Sequence, residues 1–136
     1  VGVVAYDSQG NIAAGTSTGG TTGKRWGRVG DAPIIGAGTY AQNGVCGVSA
    51  TGTGEYFIRI GVARDICARM QFEGLSAEEA ADAVIADVGA IRGDGGVIVL
   101  DGRGGVAWAM NTPGMYRASR VAGGTPVVRI FADEEQ

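Results

Sequence analysis

Arg28 and Asp31 stand three residues apart in the segment Gly27 to Asp31 (GRVGD), and their side chains carry opposite charges. A guanidinium fork and a carboxylate at this spacing could bind the two charges of an amino acid, its α-carboxylate and its α-ammonium group. The plain structural interpretation is a surface ion pair, which contributes well under about 1 kcal/mol. Taken alone, the pair does not decide between these interpretations.

The segment Thr51 to Glu55 (TGTGE) joins a predicted strand to a predicted helix. Amides at a helix N-terminus, with glycines that permit close approach, are typical of an anion site. The segment is not a Walker loop, because the Gly-Lys-Ser/Thr ending is absent. A threonine N-cap followed by a turn explains one threonine and one glycine, but it leaves the rest of the repeat unexplained.

Two other segments place polar side chains at strand ends. Thr16 to Gly20 (TSTGG) follows one predicted strand, and hydroxyl groups at such a position usually bond a turn. Asn111 to Tyr116 (NTPGMY) follows another strand and is interpreted, on its own residues, as a structural loop.

The sequence contains no histidine, which excludes Ser-His-Asp and Cys-His catalysis and imidazole metal sites. A hydrolase built from this chain therefore needs another base. One solution is an N-terminal amine, exposed by cleavage, that activates the hydroxyl of its own residue. The chain begins at Val1 within an apolar strand pattern, so we expect a longer precursor with that residue immediately before Val1.

Composition narrows the class of protein further. The 136 residues make about one domain, and an apolar fraction of 45% is ordinary for a globular chain. A net charge of -3 without a basic run argues against nucleic acid, and no apolar stretch reaches transmembrane length. Cys46 and Cys67 lie far apart, and we expect buried free thiols in a reducing, cytoplasmic compartment.

Hairpins are predicted to frame the first part of the chain. Residues 1–6 and 12–16 alternate around a polar turn, and residues 33–40 pair with residues 45–50 across Asn43-Gly44. The glycine-rich stretch between the hairpins, residues 19–31, is too polar for a regular element.

A helical period begins at Glu55 and ends at Gly74, and the capping-box spacing of Ser76 and Glu79 opens a second helix. A further hairpin and a last strand follow at residues 95–100, 105–110 and 127–131, and the acidic tail at residues 133–135 is predicted to fray. Antiparallel strands with helices grouped between them indicate an α+β fold. The early strands are apolar on both faces, which predicts a covering layer that this chain does not fully supply.

In this order, the four polar segments resemble the β-subunit of the plant-type L-asparaginase/isoaspartyl peptidase family, whose members are N-terminal-nucleophile hydrolases. The matching stretches run over nearly the whole chain: VGVVAYDSQGNIAAGTSTGG, KRWGRVGDAPIIGAGTYA, SATGTGEYFIR, GLSAEEAADAVI and NTPGMYR. Glycosylasparaginase is a relative with a similar skeleton of TST, GRVGD and ATG, but TSTGG, TGTGE and NTPGMYR are closer to the asparaginase branch.

The resemblance implies a four-layer αββα sandwich, of which residues 1–136 supply about half as a single region. This region would be the C-terminal (β) subunit of a precursor that cleaves itself before a threonine. The partner would be the α-subunit from the same precursor, in an (αβ)2 heterotetramer. The family needs no cofactor for catalysis, and its structural sodium ion belongs to the companion α-chain.

The resemblance also implies roles for individual residues. Thr18 would hydrogen-bond the nucleophilic threonine, and the Thr51 hydroxyl with the Gly52 amide would form the oxyanion hole. Arg28 would bind the substrate α-carboxylate. Asp31, with the Gly54 carbonyl, would hold the α-ammonium group.

The implied reaction is hydrolysis of the side-chain amide of L-asparagine and of β-aspartyl (isoaspartyl) dipeptides through a β-aspartyl ester. Glycosylasparaginase activity on sugar-linked asparagine is the nearest alternative. An alternative of another class is an inactive fragment that binds amino acids or only assembles, since the threonine before Val1 is absent from the printed sequence.

Overall fold

The computed structural model describes residues 1–134, and its strands and helices are arranged in layers around one antiparallel sheet. The strands of that central sheet are β3, β4, β5 and β6, in that order. Two separate hairpins, β1-β2 and β7-β8, accompany it. The bounds in chain order are β1 Gly2–Tyr6, β2 Ile12–Thr16, β3 Thr39–Gln42, β4 Cys46–Gly52, α1 Gly54–Ile60, α2 Val62–Ala68, a π-helical turn Arg69–Glu73, α3 Ala77–Ala90, β5 Gly95–Asp101, β6 Val106–Met110, β7 Gly114–Ser119 and β8 Val127–Phe131.

The helices cover one face of the central sheet, and the main hydrophobic core lies between them. Alternate residues of β4, such as Val48, share this core with Phe57 of α1, Ile66 of α2 and Val84 of α3, and all four are fully buried. Successive side chains of a strand point to opposite faces, so Gly47, between Cys46 and Val48, faces away from the helices.

The two hairpins lie on that opposite face. A Cβ atom added to Gly47 would lie 2.6 Å from Cγ2 of Ile12 on β2, so the glycine allows the two β layers to approach closely. At the other hairpin, the Arg117 guanidinium of β7 lies 5.0 Å from the centre of the Trp108 ring of β6. The described chain therefore has a mixed α/β architecture with a helical layer, a central sheet and a divided second β layer.

Most of the predicted elements are confirmed, including the hairpin at Asn43-Gly44 and the helix end at Gly74. The capping box is also present: the Ser76 amide donates to Glu79 Oε2 at 2.9 Å, and the Glu79 amide donates to Ser76 Oγ at 3.2 Å. The predicted first helix is interrupted at Gly61, whose φ of 71° ends α1 and begins α2.

The predicted strand over residues 33–40 is wrong except at its end. Residues before Thr39 form turns instead, in which the Ile34 amide donates to the Asp31 carbonyl at 2.9 Å and the Ala37 amide donates to the Ile34 carbonyl at 3.0 Å. These local bonds satisfy the backbone, so the apolar residues there need no strand partner.

The predicted loop over residues 111–116 is wrong in its second half, because β7 begins at Gly114 and pairs with β8. The Pro-Gly turn signal favoured a loop, but the backbone of this segment pairs with a strand more than ten residues further along the chain. In the acidic tail, the Glu134 carboxylate accepts hydrogen bonds from the amides of Ile130 and Phe131, and the fraying of the tail stays a prediction. Glu135 lies outside the described residues.

The prediction of free thiols is also wrong, because Cys46 of β4 and Cys67 of α2 form a disulfide. Both residues are fully buried, as predicted. Their Cα atoms are 5.7 Å apart, within the range that a disulfide spans. The sheet and the helix bring the two side chains together across the core, which their separation of 21 residues conceals. The predicted cytoplasmic location rested in part on free thiols, so it loses that argument and stays a prediction.

We expect reduction of this disulfide to lower the free energy of unfolding by about 3 kcal/mol, because the bond closes a loop of moderate length in the unfolded chain. Denaturant unfolding of oxidised and reduced protein measures the difference. As a control, alkylation under denaturing conditions should label neither cysteine before reduction and both afterwards. Labelling without a reductant would contradict the pairing.

Candidate active site

A cleft of about 1200 Å³ opens between the β1-β2 and β7-β8 hairpins, above the ends of β4 and β5. Its lining includes five of the six residues predicted for the site: Thr18, Arg28, Asp31, Thr51 and Gly52. The sixth, Gly54, lies behind Asp31, where an added Cβ atom would be 2.6 Å from Asp31 Oδ1. The fold therefore gathers residues from three sequence segments at one place.

Thr51 and Gly52 end β4 at the floor of the cleft, where Thr51 pairs with Gly96 and Gly52 pairs with Gly95. Thr51 is exposed and shares the face of β4 that Ser49 presents to the β1-β2 hairpin. An added Cβ atom on Gly52 would lie 2.7 Å from the Phe57 ring, so a larger residue would push this backbone away from α1. Crowding by α1 and β5 thus fixes the Gly52 backbone.

Thr53 stands at the N-cap position of α1, but its side chain makes no capping bond to the helix. Its hydroxyl donates instead to Asp94 Oδ1 at 2.5 Å, and its amide donates to the Asp94 carbonyl at 3.0 Å. These two bonds tie the start of α1 to the segment that enters β5. The simple N-cap interpretation of this segment is therefore incorrect.

Thr18 lies just beyond β2, with its side chain exposed. Its Oγ1 accepts a hydrogen bond from the Gly20 amide at 3.0 Å, which is the turn-bonding role expected of a hydroxyl at a strand end. The β1-β2 ladder continues to this point, because the Val1 nitrogen donates to the Ser17 carbonyl at 2.7 Å and the Ser17 amide donates to the Val1 carbonyl at 2.8 Å.

Arg28 forms a two-pronged ion pair with Glu55 rather than with Asp31. Its Nε donates to Glu55 Oε1 at 2.8 Å, and its Nη2 donates to Oε2 at 2.9 Å. The Arg28 side chain is only 19% exposed. These hydrogen bonds lower the pKa of Glu55 to about 2 and raise that of Arg28. Sequence reasoning did not single out Glu55, although its position directly after Gly54 in the TGTGE segment was the available signal.

Asp31 is a buried carboxylate, 8% exposed, at the wall of the cleft. Its Oδ2 has no hydrogen-bond partner among residues 1–134. Burial raises the pKa of Asp31, while backbone hydrogen bonds from Asp31 and Ala32 and the nearby positive charge of Arg28 lower it by smaller amounts. A carboxylate held in this way favours a cation beside it, because a positive group would offset the loss of hydration.

Two further observations concern metal-binding side chains and membrane-spanning helices. Among residues 1–134, no cluster of three or more His, Cys, Asp or Glu side chains is arranged to hold a metal ion. The assignment of any sodium ion to a companion chain remains a prediction. Within the same residues, no helix has the length and apolar character needed to cross a bilayer.

The fold and cleft define a mixed α/β protein with separated opposite charges in its site, and comparison with known proteins supplies the family. The profile of the protein family described as Asparaginase matches residues 1–130. The chain belongs to this family, which confirms the resemblance predicted from its motifs.

The similar curated proteins include enzymes from bacteria and a vertebrate. The isoaspartyl peptidase of Escherichia coli K12 is 52% identical over 135 residues, which cover 98% of this chain and 42% of that protein. The isoaspartyl peptidase of Salmonella typhimurium is 51% identical over 98% of this chain and 43% of its own length. The isoaspartyl peptidase/L-asparaginase of Xenopus laevis is 49% identical over 76% of this chain and 34% of its own length. The chain therefore spans about two fifths of the length of its bacterial relatives.

We expect Asp31→Asn to raise the free energy of unfolding at pH 7. The folded-state pKa of Asp31 is raised above the ordinary value of 3.8, so ionisation disfavours the folded state as pH rises through the folded pKa. The stability gain should therefore disappear below about pH 3.8, where both states hold the proton. Denaturant unfolding curves measured across pH test this prediction. A variant less stable than the parent at pH 7 would contradict this account.

Proposed function

We propose that this chain is the C-terminal (β) subunit of a hydrolase that cleaves the side-chain amide of L-asparagine and β-aspartyl dipeptides. The observation that carries the proposal is the presence in one cleft of a guanidinium held by an ion pair, Arg28, and of a buried carboxylate, Asp31, whose Oδ2 has no hydrogen-bond partner among residues 1–134. Family membership and relatives named isoaspartyl peptidase support the same reaction class.

Substrate recognition would use both charges of the aspartyl unit. Arg28 would bind the α-carboxylate, and Asp31 with the Gly54 carbonyl would hold the α-ammonium group. Because the two side chains do not pair with each other, each remains available for the opposite charge on a ligand. The scissile side-chain amide would then extend towards Thr51 and Gly52 at the floor of the cleft.

The nucleophile in this proposal is a threonine directly before Val1. The β1-β2 register pairs Gly2 with Thr16 and continues through Val1 and Ser17, so one more step would bring the preceding residue opposite Thr18. This supports the proposed role of Thr18 as its hydrogen-bond partner.

The proposed reaction has two stages. The threonine hydroxyl oxygen attacks the amide carbon, and its proton passes through the threonine's own α-amine to the leaving nitrogen as the C–N bond breaks. The Thr51 hydroxyl and Gly52 amide would stabilise the oxyanion. Water then attacks the β-aspartyl ester, gives its proton back to the threonine oxygen and releases aspartate. The absence of histidine is consistent with a base of this kind.

The proposed partner is an α-subunit cut from the same precursor, which would complete a four-layer αββα sandwich and assemble as (αβ)2. The divided second β layer supports it, because several apolar side chains on the two hairpins stay exposed. Val3 of β1 is 59% exposed, Val128 and Phe131 of β8 are 63% and 59% exposed, and Tyr116 of β7 is 86% exposed.

We expect Arg28→Ala to lower kcat/KM for asparagine about 100-fold, because hydrogen bonds to a charged group are lost from the bound substrate. Steady-state ammonia release from the full-length protein measures the effect. Arg59→Ala, at an exposed position on α1, is the matched control and should leave kcat/KM unchanged. Equal activity of the two variants would refute the carboxylate clamp.

We expect Thr51→Ala to lower kcat by about 10²–10³, the usual effect of removing one oxyanion donor. KM should change much less, because the donor acts mainly on charge that develops in the transition state. Thr51→Ser keeps the hydroxyl and is the control. If both variants lose activity equally, the hydroxyl is not the donor.

The intact mass of the purified full-length protein under denaturing conditions tests the proposal as a whole. We expect two chains, the lighter one starting with threonine followed by Val1. A second assay then compares two products. Release of ammonia from asparagine indicates the proposed activity, and release of sugar from glycosylated asparagine indicates a glycosylasparaginase. A single uncleaved chain that binds aspartate without hydrolysing either substrate would establish the inactive alternative.

A further inference from the structure

Glu55 determines which edge of the Arg28 guanidinium is free. A guanidinium has five N–H donors on a rigid plane, and Glu55 accepts from Nε and from one side of Nη2. The edge formed by Nη1 and the other side of Nη2 makes no hydrogen bond to Glu55. That edge has the spacing to hold a second carboxylate in the same two-pronged manner.

The surroundings of Arg28 fix the plane as well as the edge. Nη1 lies against the backbone of Gly30, where an added Cβ atom would be 2.7 Å away. The loop on one side and Glu55 on the other therefore confine the guanidinium of this half-buried side chain. Arg28 and Gly30 both line the cleft, whereas Glu55 is not among its lining residues.

We infer that Glu55 is a positioning residue for the substrate α-carboxylate, which it orients by holding Arg28. This inference rests on the proposed function, in which Arg28 receives that carboxylate. Glu55 touches the guanidinium rather than the ligand. The low pKa of Glu55, caused by its hydrogen bonds to Arg28, keeps it ionised at any physiological pH. Glu55 therefore carries the charge that the ion pair needs throughout this range.

Glu55→Gln is the informative variant because it is isosteric but cannot make the same pair. One oxygen of the glutamine amide still accepts, but its NH₂ group would meet an N–H of the guanidinium, so one prong is lost. The matched control is Glu78→Gln. Glu78 also lies in the first turn of a helix, at an exposed position outside the cleft.

The experiment measures dissociation constants of the full-length protein for aspartate and for β-alanine, which is aspartate without its α-carboxylate. We expect Glu55→Gln to raise the dissociation constant for aspartate about tenfold and to leave the dissociation constant for β-alanine unchanged. The reason is that only the contact with the α-carboxylate depends on the guanidinium edge. In the steady state, KM for asparagine should rise about tenfold while kcat stays within about threefold, because this contact is shared by the bound and transition states. In an Arg28→Lys background, Glu55→Gln should cause little further loss of affinity for aspartate, because the interaction that it disrupts is already gone.

An equal loss of affinity for aspartate and for β-alanine would indicate general damage to the site and would overturn the inference. So would a Glu55→Gln variant that behaves like Glu78→Gln. If Glu55→Gln does not fold, Glu55→Asp is measured in its place. Because the aspartate side chain is shorter, we expect the same loss of affinity for aspartate and no change for β-alanine. An unchanged affinity for aspartate would overturn the inference. Wild-type protein that binds aspartate but hydrolyses no substrate would remove the proposed function while leaving this binding test valid.

Discussion

The close contact between the β1-β2 hairpin and the central sheet is the constraint on which the site depends. Gly47 provides the space for Ile12, and the hydroxyls of Thr16 and Ser49 approach within 2.6 Å across the two layers. A side chain at position 47 would separate the layers. The start of β1 would then move away from Thr51, and the cleft would lose its shape, so a packing requirement in the β layers sets the distances on which chemistry depends.

The charges in the cleft show how stability and binding are balanced. Glu55 neutralises the charge of Arg28 and accepts from one edge of its guanidinium, whereas Asp31 is buried without a full set of partners. A chain selected for stability alone would pair Asp31 or replace it, because an isolated buried carboxylate opposes folding at neutral pH. The unpaired carboxylate is best understood as one half of an interaction that a ligand completes. Buried polar groups that are left partly unsatisfied are expected at functional sites.

Local signals in the sequence predicted the hairpins, the capping box at Ser76 and the helix end at Gly74, because each depends on residues only a few positions apart. Non-local pairings were predicted poorly. The strand β7 forms because β8 is opposite it, and the disulfide joins residues 21 positions apart, so no short window contains the cause. The apolar residues at positions 33–38 favoured a strand, but backbone bonds to Asp31 and Ile34 formed turns there instead.

The sequence by itself determined the family, the absence of histidine from these 136 residues and the residue types available for the cleft, since these follow from composition and short motifs. It also placed Arg28 and Asp31 in one loop, and their spacing suggested a pair. Only the tertiary structure decided that Arg28 pairs with Glu55 and that, among residues 1–134, Asp31 Oδ2 has no hydrogen-bond partner. The reason is physical: ion pairing depends on distances between side chains, and here the packing of α1 against the loop brings together residues 27 positions apart.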